Sequence, residues 1–108
     1  SNNTSDSGER SQKALPKAFE LNQNFPNPFN ATTQITYKLT RGSNVSLEIY
    51  NTMGQKVRTL VDEYRDAGRY TVEWDSKNDA GSDVASGVYL YKMRAGETVD
   101  SKKMTLLK

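Results

Sequence analysis

The chain of 108 residues contains no cysteine and no histidine. Without cysteine it has no disulfide framework and no thiol chemistry. Without histidine it lacks the commonest general base, the usual transition-metal ligand and the base half of the hydrolase nucleophile pairs. The expectation is therefore a protein that is not an enzyme, with no catalytic residues, no metal and no cofactor. Long apolar runs are absent too: none approaches the roughly 18 residues of a membrane span, and no signal peptide opens the sequence. An exported protein carrying this stretch would be a longer precursor. Neither sign of charge dominates, since 15 basic and 13 acidic residues are interspersed for a net charge of +2. That argues against the single basic face of a nucleic-acid binder.

Proline is scarce as well, and two of its three occurrences, Pro26 and Pro28, fall in one short stretch. A proline lacks the N–H and restricts the residue before it, so residues 22–30 cannot be helical or form a central strand. Phe25 and Phe29 are expected to plug this irregular segment into the core. Residues 1–17 are rich in Ser, Asn, Lys and Glu. With few apolar side chains to offset ordering entropy, they read as a disordered linker, leaving residues 18–108 as one domain.

Within that domain the apolar residues recur at period two. A short apolar start lies near Leu21. Ile35, Tyr37 and Leu39 share one parity, as do Val45, Leu47 and Ile49, and Arg41-Gly42-Ser43-Asn44 between them suggests a hairpin. Lys56 to Asp62 alternates less cleanly, which predicts a bulge or an edge position. Glu63 to Gly68 reads as a polar loop, followed by a strand through Tyr70, Val72 and Trp74, with Trp74 as a core anchor. After a turn-rich connection, Tyr89, Tyr91, Met93 and Ala95 alternate into a turn at Ala95-Gly96-Glu97 and a last strand. A three-residue turn would pair Met93 with Val99, yet Met104 and Leu106 have the opposite parity. The pattern thus predicts a bulge near Ser101 to Lys103. The whole reads as all-β, an antiparallel sandwich of about seven strands.

Each chemical motif has a plain structural alternative. Asp75, Asn78, Asp79 and Asp83 offer hard oxygens, but their spacing is not that of a calcium loop, and Asx turns account for them. Asp62, Glu63 and Asp66 lie among Arg65 and Arg69 as a solvated mixture. The tyrosines could form a sugar platform, but most have inward parity. Asn30-Ala31-Thr32 and Asn44-Val45-Ser46 match the glycosylation pattern, a triplet that arises often by chance. Lys102, Lys103 and Lys108 suit either a recognition label or an edge strand protected from aggregation.

Several separated motifs, in order, carry a resemblance. Leu21-Asn22-Gln23-Asn24-Phe25-Pro26-Asn27-Pro28-Phe29-Asn30 with Thr32-Thr33-Gln34-Ile35 is followed by Tyr50 to Val57, Ala67-Gly68, Trp74-Asp75, Ala85-Ser86-Gly87-Val88-Tyr89 and Lys102 to Lys108. Together, from about Leu21 to Lys108, they resemble the type A C-terminal sorting domain of the type IX (Por) secretion system. Trp74 to Arg94 also resembles the Ig-like domain of flagellar hook-capping proteins. Ala31 and Ala85 stand where that pattern often has proline. The resemblance implies an Ig-like sandwich at the end of a secreted protein of Bacteroidota-like bacteria, which crosses the periplasm and reaches the outside or the cell surface. Its implied partners are the upstream cargo domain of the same precursor, an outer-membrane translocon and a sortase-like protease. Carried over residue by residue, it marks Gly87, Tyr89, Lys102, Lys103, Leu106 and Lys108 for signal recognition, and Asn27, Pro28, Phe29, Trp74 and Asp75 as structural. The alternatives are a carbohydrate- or surface-binding accessory module and a structural Ig-like spacer.

Overall fold

The computed structural model describes residues 18–108; the linker expected at 1–17 lies outside them. Seven strands follow in order: β1 (Phe19–Leu21), β2 (Thr33–Leu39), β3 (Ser43–Asn51), β4 (Lys56–Arg65), β5 (Gly68–Trp74), β6 (Gly87–Ala95) and β7 (Thr98–Leu106). They form two antiparallel sheets, ordered β1-β2-β5 and β4-β3-β6-β7. The inward residues of both sheets merge into one core. Ile35, Tyr37 and Leu39 come from β2, Leu47 and Ile49 from β3, Tyr91 and Met93 from β6, and Met104 and Leu106 from β7. Trp74 is fully buried among them, as its expected role as an anchor requires.

Three expectations are corrected. First, β2 and β3 are not a hairpin, because β2 pairs with β1 and β5 while β3 pairs with β4 and β6. Period two reveals which side chains face the core, and that is the same whether consecutive strands share a sheet or face each other across it. Secondly, the stretch read as a polar loop is strand as far as Arg65. β4 is an edge strand there, polar on both sides, so its alternation is faint. The irregularity expected within β4 is present, as the register against β3 slips twice and leaves Val57 and Leu60 unmatched.

Thirdly, β6 and β7 form an unbroken ladder from Gly87↔Leu106 to Ala95↔Thr98, without the bulge expected at Ser101 to Lys103. The turn has two residues, Gly96 and Glu97, rather than three. Gly96 takes φ 62° at the first central position, which suits a type II′ hairpin and needs glycine. This shortening shifts the register by one. Met93 faces Asp100, Tyr89 faces Met104, and Val99 points outward at 45% exposure. The parity conflict disappears without a bulge.

Candidate recognition site

Residues 22–30 run beside the outer edge of β7 and are bonded to it. Gln23 Nε2 donates to the Lys103 carbonyl at 2.7 Å. The Thr105 N–H donates to Asn27 Oδ1 at 3.0 Å, Phe29 N–H to the Thr105 carbonyl at 2.9 Å, and Leu107 N–H to the Phe29 carbonyl at 2.8 Å. Phe29 and Leu106 form a parallel bridge. An edge strand presents a row of unpaired backbone groups, and this segment covers the row from Lys103 to Leu107.

The segment is itself pinned from below. Buried Asn24 donates its backbone N–H to Tyr91 Oη at 2.9 Å, and its side-chain amide donates to Thr33 Oγ1 and the Pro26 carbonyl. Tyr91 Oη returns a hydrogen bond to the Asn22 carbonyl at 2.7 Å. Both proline bonds of the segment are cis. Of the two phenylalanines expected to plug into the core, only Phe29 does, at 1% exposure; Phe25 stands out at 78%. Phe25 nonetheless exchanges two backbone hydrogen bonds with Gln34, so the main chain holds this position while the ring faces solvent.

Behind the clamp lies an aromatic stack. The Phe29 and Trp74 ring centroids are 5.8 Å apart, and Trp74 meets Tyr89 edge-on at 5.3 Å, geometries favoured by the ring quadrupoles. The Trp74 indole N–H donates to the Lys77 carbonyl and the Tyr89 hydroxyl to the Ala85 carbonyl. Burial raises the Tyr89 pKa. Asn27, Phe29, Trp74, Tyr89, Gly87 and Leu106 are thus drawn together at one end of the sandwich. Leu106 is fully buried, so its side chain offers no surface for contact.

The lysines are not drawn together. Lys102 has inward parity and is half-buried opposite Tyr91, whereas Lys103 projects from the outer face opposite Leu90. Lys108 lines a cleft of about 270 Å³ with Asn30, Ala31, Asp75, Ser76 and Asp83. Ala31 and Ser76 both adopt left-handed φ there, 75° and 64°, and Ser76 Oγ donates to the Ala31 carbonyl at 2.6 Å. A hydrogen bond from Lys77, then the charges of Lys77 and Lys108, lower the Asp83 pKa.

The acidic loop is engaged structurally. Asn78 Oδ1 accepts the N–H groups of Ala80 and Ser82, as an Asx turn should. Asp75 Oδ1 accepts from Arg58 at 3.1 Å. Asp79 accepts the Thr59 N–H and donates its own to the Val57 carbonyl, covering the bulged edge of β4. Sequence reasoning missed the clamp by Gln23 and Asn27. Its one sequence signal was the density of amides beside the prolines, side chains able to satisfy a backbone that makes no ladder.

The FlgD Ig-like domain model matches residues 24–103. The chain belongs to the FlgD Ig-like domain family. No curated protein matches the sequence significantly. Among solved structures, dimeric latent PorU from Porphyromonas gingivalis is similar at TM-score 0.71 and 23% identity, over 86% of this chain and 10% of that one. PorZ, described as an essential bacterial surface component of the type-IX secretion system of the same organism, is similar at 0.56 and 19%, over 94% and 13%. The alkylpurine DNA glycosylase AlkC of Pseudomonas fluorescens follows at 0.50 and 13%, over 94% and 34%. This FlgD Ig-like domain therefore spans about a tenth of PorU and an eighth of PorZ, and at these identities the likeness is one of fold: an all-β Ig-like sandwich.

Proposed function

We propose that this FlgD Ig-like domain is a sorting module, which directs a larger protein through the type IX secretion system to the outside or to the cell surface. The observation that carries this reading is the clamp. Two of the stretches that carry the resemblance to sorting domains, residues 22–30 and 102–108, are separated in sequence yet hydrogen-bonded into one unit through Lys103, Thr105 and Leu107. The fold shared with PorZ supports the same reading. In it, the translocon reads the end of β7 with exposed Lys103 and Lys108, while Gly87, Tyr89, Leu106 and the Asn27-Pro28-Phe29 motif hold that end in place. A sortase-like protease would act in the segment before the sandwich, releasing the cargo.

The test is an export assay. Residues 1–108 are fused behind a periplasm-targeted reporter in a bacterium with a working type IX system and in a strain lacking its outer-membrane translocon. Export from the first strain alone is expected, and Lys103→Ala with Lys108→Ala should lower it about tenfold with an unchanged melting temperature, as solvated side chains carry little fold stability. Equal distribution of the reporter in both strains would overturn the proposal.

A further inference from the structure

The clamp stops at Lys103, so among the described residues the first half of β7 remains an uncovered sheet edge. Along an antiparallel edge strand alternate residues aim their backbone groups outward. The outward bonds of Lys103, Thr105 and Leu107 therefore place those of Val99 and Ser101 on the same open side. Among the described residues the Ser101 N–H is met only by its neighbour, Asp100 Oδ1, at 2.8 Å. Between these outward positions Asp100 and Lys102 have inward parity and are half-buried. Neither forms an ion pair among the described residues. Beside them Phe19, Thr98, Val99 and Asp100 line a cleft of about 150 Å³.

We propose that this edge pairs with the same edge of a second copy, antiparallel about a two-fold axis at Ser101. Only outward-facing residues can exchange ladder hydrogen bonds, so Val99, Ser101 and Lys103 must meet residues of that same set. Charge selects among the registers that remain. Centring the axis on Ser101 sets Asp100 opposite Lys102 of the second copy, twice, on the inner face and in the closely spaced non-hydrogen-bonded position. Moving the axis one residue earlier sets Asp100 against Asp100, and one residue later sets Lys102 against Lys102, each a like-charge contact.

Length fits as well. The ladder runs from residue 99 to 103 on each strand, bounded by the Gly96-Glu97 turn at one end and by the Asn27 clamp at the other. The Lys103 carbonyl has a second lone pair to offer beside its bond from Gln23. In the free chain Asp100 occupies the Ser101 N–H, and on pairing it exchanges that contact for the lysine. The contact is small, which makes the dimer weak and transient.

The experiment is sedimentation of the full chain up to about 0.5 mM, a range suited to so small an interface, on wild type, Asp100→Lys, Lys102→Asp and the double variant. Thermal unfolding confirms that each is folded. Wild type should dimerise. Each single reversal should weaken association by roughly tenfold or more, whereas the double variant, and an equimolar mixture of the two singles, should recover it. A wild type monomeric throughout, which would leave the edge to a strand from another protein, overturns the proposal. So does a dimer indifferent to Asp100→Lys, or a mixture that fails to associate.

Discussion

Tyr91 and Tyr37 carry the same phenol into the same core but differ in what meets the hydroxyl. That of Tyr91 accepts from Asn24 N–H and donates to the Asn22 carbonyl, whereas that of Tyr37, whose ring stacks on Tyr70 with centroids 5.4 Å apart, has no partner among the described residues. Deleting one end of a buried hydrogen bond strands the other, while deleting an unpartnered group does not. Tyr91→Phe should thus lose about 1–3 kcal/mol in urea unfolding, and Tyr37→Phe should match or exceed wild type. The pair also differs with pH. Burial above all, opposed by the Asn24 N–H, pushes the Tyr91 pKa from 10.0 up to about 12. The folded state holds this proton more tightly than the unfolded chain, so the associated stability is whole below pH 10 and lost as pH climbs through about 12. Tyr91→Phe should flatten that alkaline decline, read from unfolding midpoints across the window. Sequence parity placed both tyrosines inside; it could not foretell which hydroxyl would find a partner, since Tyr91 meets a segment nearly seventy residues away.

At the level of elements, the alternation of β6 and the apolar end of β7 made the hairpin legible, while its turn length was not. One residue of difference inverted the expected facing of Val99 and invented a bulge that the ladder does not have. Nor could the hydrogen bonds of residues 22–30 be read from the sequence, because that segment satisfies its backbone through side chains and a distant edge. Its contribution is measurable. Asn27→Ala should cost about 1 kcal/mol and speed amide hydrogen exchange at Thr105 and Leu107, leaving the amides near Gly96 unchanged. Equal protection at Thr105 in both proteins would show that Asn27 does not hold the strand.

For the molecule as a whole, period two announced a sandwich of seven strands but not which strands share a sheet, since both β2–β3 and β4–β5 cross from one sheet to the other. The two sheets share one core through Trp74, Phe29 and Tyr89. They should therefore unfold together, with the fluorescence of the lone tryptophan and far-UV dichroism giving one midpoint. Trp74→Ala should cost about 3–5 kcal/mol. The clamp adds a matter of timing. Asn27 reaches across 78 positions to Thr105, so a ribosome delivers one half of that bond long before the other. Until the seventh strand emerges, Gln23, Asn27 and Phe29 lack the edge that they bond, and closure of such distant contacts is slow. The domain is built to finish late, and every nascent copy spends part of its life with that seam undone.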